Sequence, residues 1–299
     1  MRPSDGSRML SELNVLYLFL GGTGAGMCAV LSVMSLVAVV RGTSAGGFRR
    51  AFAPAPGYRR LLGFGFFVAS VVLALACLCL VFDMRRPDAA IALIIRPVLN
   101  VTSVGAYSLG ASVAASTFLG ACWISALRPP TAAVCAVSAL TVAIAAVAAG
   151  YTGILLGSFA TAPFWQTPLL PALFLASSFS CGIAATVCSA VVFRVRAAFE
   201  RAMGSLLLAG RVVAVLEAAL LAAFVAWTAK WYPDYGLRLV SGDFAEVFWG
   251  GLVGVGLVLP QVLGLLRGRL PGLRIHPGAA ALLVLLGGFL LRWCVVAPS

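Results

Sequence analysis

Asn14 and Tyr17 stand three residues apart in "NVLYLF", so on a helix a carboxamide and a phenol lie one turn apart on one face. Both groups donate and accept hydrogen bonds without carrying charge. A second polar set falls in "YTGILLGSFATAPFWQTPLLP" (151–171), where Tyr151, Thr152, Trp165, Gln166 and three prolines sit between apolar runs. Asp83 and Arg86 close another run in "VFDMRRP" (81–87), and Arg292 stands in "GGFLLRW" (287–293). Glu217 lies well inside an apolar run, with nothing within a turn in sequence to neutralise it. Such a carboxyl reads either as part of a proton path or as a group hydrogen-bonded to a neighbouring helix.

Metal chemistry has no support in the spacing. The eight cysteines occur singly or as one C-x-C (Cys77, Cys79), almost all inside apolar stretches, without a zinc or iron–sulfur pattern. They read as small apolar side chains. With His276 the only histidine, haem held between two histidines is excluded. "GGTGAG" (21–26) has no strand before it and no Lys-Ser/Thr after it, so it is not a phosphate loop. Gly22 and Gly26 instead form a G-x-x-x-G that lets a second helix approach closely.

The elements that must position these groups follow from composition. With 62% hydrophobic and 10% charged residues and a mean hydropathy of +1.06, the chain cannot cover a water-facing surface. Crossing roughly 30 Å of hydrocarbon takes about 20 apolar residues as a helix. Eight such runs are expected: Asn14–Val40, Leu61–Phe82, Thr102–Leu127, Thr131–Ser158, Pro168–Phe193, Ala202–Thr228, Phe244–Leu266 and Pro277–Val296. Barrel strands would be shorter and alternating, so the fold class is an all-α integral membrane protein, one membrane domain over 1–299. The first run lacks a small-x-small cleavage site and reads as a retained helix, not a signal peptide.

Charge gives the orientation. With residue 1 outside, the inside holds thirteen arginines against Glu200 alone, +12, and the outside holds eight basic against seven acidic residues, +1. This is the asymmetry of the positive-inside rule with both termini outside the cytoplasm, and the basic balance gives no reason to invoke nucleic acid. Asn14, Tyr17, Tyr151, Asp83, Arg86 and the 160–166 loop then converge on the outside face, with Phe164 and Trp165 expected at headgroup level.

"NVLYLFLGGTGAG" (14–26), "VFDMRRP" (81–87), "YTGILL" (151–156), "APFWQTPLLPALFLASSFSCGIA" (162–184) and "GGFLLRW" (287–293) together resemble the NrfD or polysulfide-reductase membrane-subunit family. The resemblance implies an eight-helix anchor of two four-helix bundles in a bacterial cytoplasmic membrane, without haem or iron–sulfur cluster of its own. It also implies exchange of electrons between quinone or menaquinone and a ferredoxin-like iron–sulfur subunit, and through that a molybdopterin or multihaem catalytic subunit. Carried onto this sequence, the quinone-site residues are Asn14, Tyr17, Tyr151, Asp83, Arg86 and Arg292. Arg85 stands where the family pattern has glycine. The competing classes are a proton-coupled small-solute transporter and a purely structural anchor. Against the transporter, the polar set lies at one face and no internal repeat is visible.

Overall fold

The computed structural model describes residues 5–44, 56–83, 101–124, 130–158, 163–193, 196–242, 244–269 and 276–296. Every regular element among them is helical: α1 (Asp5–Ser44), α2 (Pro56–Asp83), α3 (Val101–Ile124), α4 (Thr131–Ser158), α5 (Leu169–Val192), α6 (Arg196–Trp231), α7 and α8 (Pro277–Val296). The helix α7 runs as a π-helix over Val247–Val258 and as an α-helix over Leu259–Arg269. A 3₁₀ turn (Pro163–Trp165) precedes α5, and a short helix (Pro233–Ser241) follows α6. All eight long helices are apolar and long enough to cross a membrane. In hydrocarbon each backbone N–H and C=O must find a partner within the segment, which is why runs of this composition become helices. The eight-helix, all-α reading of the sequence is the architecture of the protein.

Helix packing follows the demands of an apolar solvent. Large aliphatic side chains such as Val71, Leu140, Val215 and Leu282 face outward, while hydroxyls such as Ser35, Ser112, Ser138 and Ser177 are fully buried. Lipid tails are as apolar as leucine, so helices associate through close packing and internal hydrogen bonds. Ser35 of α1 accepts from Trp123 Nε1 of α3 at 3.0 Å and from Ser138 Oγ of α4 at 3.3 Å. Ser70 and Ser116 join α2 to α3 at 2.7 Å.

The hub is α1, which packs on α2, α4 and α5 and also touches α8; α2 packs on α3 and α3 on α4, closing a ring of the first four helices. The second four are arranged more openly. Among the described residues α5 carries α6 and α8, and α8 carries α7, but α6 and α7 do not pack closely on each other. Against α1, α5 comes within backbone contact: a Cβ on Gly26 would overlap the Ser178 carbonyl, and one on Gly182 would overlap the Gly26 backbone. Gly22-x-x-x-Gly26 therefore faces Ser178-x-x-x-Gly182, the close approach that the G-x-x-x-G spacing called for. Gly256 of α7 and Gly287 of α8 meet in the same way.

Connectivity puts the start of α1 and the ends of α4 and α8 at one end of the bundle, called here the Asn14 end. The starts of α2, α6 and α8 mark the opposite, Arg211 end. At each end an orphan carbonyl of a helix C-terminus is capped by a side chain from elsewhere. Arg59 Nε donates to Trp123 O at 2.7 Å at the Arg211 end, and Trp165 Nε1 donates to Val295 O at 3.1 Å at the Asn14 end.

Candidate functional site

Two groups of polar side chains lie inside the bundle. At the Asn14 end, Tyr17 is fully buried and Tyr151 is 3% exposed, and the two phenols are neighbours across α1 and α4. The α3 wall beside them is glycine because nothing larger fits: a Cβ on Gly105 would overlap the Tyr151 ring. The buried Tyr151 hydroxyl lies beside the Tyr17 phenol. Half-buried Asn14 stands one turn before Tyr17 on α1. Helical spacing and chain connectivity thus bring together three of the sequence-expected residues. Asp83 is the last residue of α2, and Arg86 lies outside the described residues.

Arg292 reaches α1 at the residue after Tyr17. Although expected as an outside-face charge, it is completely buried. Its Nε donates to Leu18 O of α1 at 3.0 Å, one Nη to Gly288 O at 2.7 Å and to Ser177 Oγ at 3.3 Å, and the other to Ser178 Oγ at 3.1 Å. Phe19 and Phe174 flank the guanidinium, their ring centroids 5.9 and 5.4 Å from Cζ. Two features drive this burial. Helical side chains lean toward the helix N-terminus, and Gly22 and Gly288 leave room for the fork beside the two backbones.

Glu217, 4% exposed on α6, hydrogen-bonds Ser177 and Ser180 of α5 and feels the Arg292 charge. Ser177 is thus shared between the guanidinium and the carboxyl. The polar surroundings that Glu217 lacks nearby in sequence come from Ser177 and Ser180 of α5, with the Arg292 charge beyond them. Removing Arg292 from the outside tally leaves that face with seven basic and seven acidic residues, a sharper asymmetry than before.

Phe164 and Trp165 also depart from expectation. At 4% and 6% exposure they are packed into the protein instead of standing out from it. Trp165 caps α8, and Phe164 stacks on Tyr235 of the short helix with ring centroids 3.6 Å apart. An indole N–H brought into an apolar setting needs an acceptor, and the unpaired carbonyls ending α8 offer one. Burial pushes the Tyr235 phenol above the ordinary tyrosine range, against the lowering effect of the Arg238 charge. Gln166 remains exposed at this end.

Ser177, Ser178, Ser180 and Cys181 were missed as partners of the charged pair. Their signal was the run "SSFSC" (177–181) in the middle of an apolar helix, where hydroxyls find acceptors only on neighbouring helices. All eight cysteines are free thiols, and no cluster of three or more His, Cys, Asp or Glu occurs among the described residues.

Fold and site together define a multi-pass helical membrane protein with an uncharged polar pair near one end and, also inside the bundle, a buried arginine and glutamate on either side of Ser177. The chain belongs to the polysulphide reductase, NrfD family, whose pattern it matches over residues 10–299. It is 33% identical over 156 residues to the C subunit of the polysulfide reductase of Wolinella succinogenes. That match covers 49% of this chain and 48% of the relative, so the chain spans about half the length of the curated relative it matches.

Proposed function

We propose that this chain is the membrane anchor subunit of a respiratory oxidoreductase complex and binds a quinone or menaquinone at the Asn14 end, between α1 and α4. The observation that carries the reading is the pair of buried phenols, Tyr151 on α4 and Tyr17 on α1, set against each other at this end. A quinone headgroup needs donors to its carbonyls in one redox state and acceptors for its hydroxyls in the other. Phenol and carboxamide supply both without placing a charge in hydrocarbon. Bound quinone would supply a two-electron, two-proton couple. Tyr151 and Tyr17 would orient the ring, and half-buried Asn14 would hold a proton-exchanging oxygen near the membrane face. Electrons would pass to or from a ferredoxin-like iron–sulfur subunit docked at this end, and through it a molybdopterin or multihaem subunit.

Tyr151→Phe should weaken binding of a quinone analogue to the assembled complex by about 0.5–1.5 kcal/mol, up to roughly tenfold in affinity, without changing assembly. Fluorescence-quench titration with the analogue measures this, and parent-like affinity in both Tyr151→Phe and Asn14→Ala would remove the site. Glu217 lies outside this pocket. Its bonds to Ser177 and Ser180 support a structural role rather than a proton path.

The same reading sets the Asn14 end outside the cytoplasm of a bacterial cell, because the basic excess lies on loops of the opposite end. A topology reporter fused after Ser299 should be active outside and silent inside. A cytoplasmic signal would reverse the orientation and move the quinone site to the inner face.

A further inference from the structure

Arg211 projects from α6 into a cavity of about 360 Å³, well away from the tyrosine pair. The cavity lies among α5, α6, α7 and α8, where α6 and α7 fail to pack on each other. Its walls are mostly apolar, with Ala184, Ala281 and Val284 among them, and its polar groups are Arg211, Gln261 and Ser180. Arg211 is the one charged residue lining it. Its guanidinium spans the cleft to donate to Gly264 O at 2.8 Å, and Gly264 is its one acceptor among the described residues.

These features select a class of ligand. The volume falls at the lower end for pockets that bury a small ligand or part of a larger one, roughly 300–1,000 Å³. An opening between two unpacked membrane helices faces hydrocarbon, so an occupant can enter sideways from the bilayer. A lone arginine with spare donors calls for an anion, and its planar fork matches a phosphate. The depth agrees. Arg211 stands eight residues, about 12 Å of helix, from the start of the α6 span at Met203, within reach of the interface once the side chain snorkels. Pro277, at the start of α8, marks the same mouth. Loops at this end carry the chain's basic excess, which concentrates anionic lipid at the adjoining leaflet.

We propose that the cleft between α6 and α7 holds one anionic phospholipid, its phosphate on Arg211 and Gln261 and an acyl chain in the cavity toward Ser180. The lipid completes the packing that α6 and α7 leave open and bridges them where the protein supplies the Arg211 bond to Gly264. It carries no part of the quinone reading, and the two stand or fall separately.

Native mass spectrometry of the full chain, purified with its accompanying subunits and delipidated, tests this by titration with dioleoyl-phosphatidylglycerol and dioleoyl-phosphatidylcholine. One phosphatidylglycerol should bind at least about tenfold more tightly than phosphatidylcholine, since both bring a phosphate to Arg211 but the choline ammonium cancels the net charge of the headgroup and repels the guanidinium. Arg211→Gln should lose that preference, and Arg211→Lys should keep part of it. Gly210→Leu, which fills the cavity and keeps the arginine, should lower affinity for both lipids. Because the headgroup comparison uses the parent protein, it decides the matter even where a variant fails to fold. Equal binding of the two lipids, an unchanged preference in Arg211→Gln, displacement of the lipid by a quinone analogue, or occupation of the cleft by a second copy of the protein would each overturn the proposal.

Discussion

Arg292→Met should destabilise the protein by about 3–5 kcal/mol, the order expected when a buried charged donor is removed and several buried acceptors lose their partner. The substitution keeps the side-chain length and removes the donors that reach Leu18 O, Gly288 O, Ser177 and Ser178, so α8 loses its polar links to α1 and α5. It also leaves Glu217 in the interior without its cation. Adding Glu217→Gln to Arg292→Met should recover part of the loss, because the unpaired charge goes while the carboxamide keeps Ser177 and Ser180 in reach. Arg292→Lys should fall between parent and Met, since an ammonium preserves the charge but cannot fork to two helices at once. Thermal unfolding of the detergent-solubilised protein reads all three variants against the parent. A single Arg292→Met melting with the parent would mean that the cluster contributes nothing to holding the helices together.

Gly26→Leu should be the most damaging change in α1, costing about 1–3 kcal/mol or more through overpacking. The new Cβ alone would overlap the Ser178 carbonyl, which is backbone and cannot rotate away, so α1 and α5 must separate. Separation also withdraws Leu18 O and Ser178 from Arg292, so the damage spreads to the charge cluster. Gly182→Leu should act alike from the other helix, whereas Gly110→Leu should be nearly silent because a Cβ there meets nothing within 4 Å. Yield of monodisperse protein and its melting temperature separate the three. Equal behaviour of Gly26→Leu and Gly110→Leu would show that the α1–α5 contact is looser than the structure has it.

These two results bear on different parts of what the amino-acid sequence discloses. The Gly22/Gly26 contact was legible because a repeat of four on an apolar helix can serve only a close neighbour. The neighbour itself, α5, was not, since Ser178 and Gly182 have no pairing signal of their own. Asn14, Tyr17 and Tyr151 were legible as one group, since helix register and the alternation of spans put them at the same end. Trp165 was misplaced because interfacial tryptophan and tryptophan capping an inner carbonyl look alike in sequence. The π-helical run in α7 had no warning beyond the glycines of "GGLVGVG" (250–256).

What the sequence by itself determined is whatever depends on solvent: eight membrane helices and their alternating direction through the bundle. Hydrocarbon tolerates no unpaired backbone, so composition and run length leave a single class of structure. What only the tertiary structure decided is where each polar side chain finds its partner. Arg292 and Glu217 are 75 residues apart on different helices, and their sharing of Ser177 depends on two glycines that let α1, α5 and α8 approach. A buried charge is stable only when its partner is in place, and that proximity is a property of helix packing that no window of sequence contains.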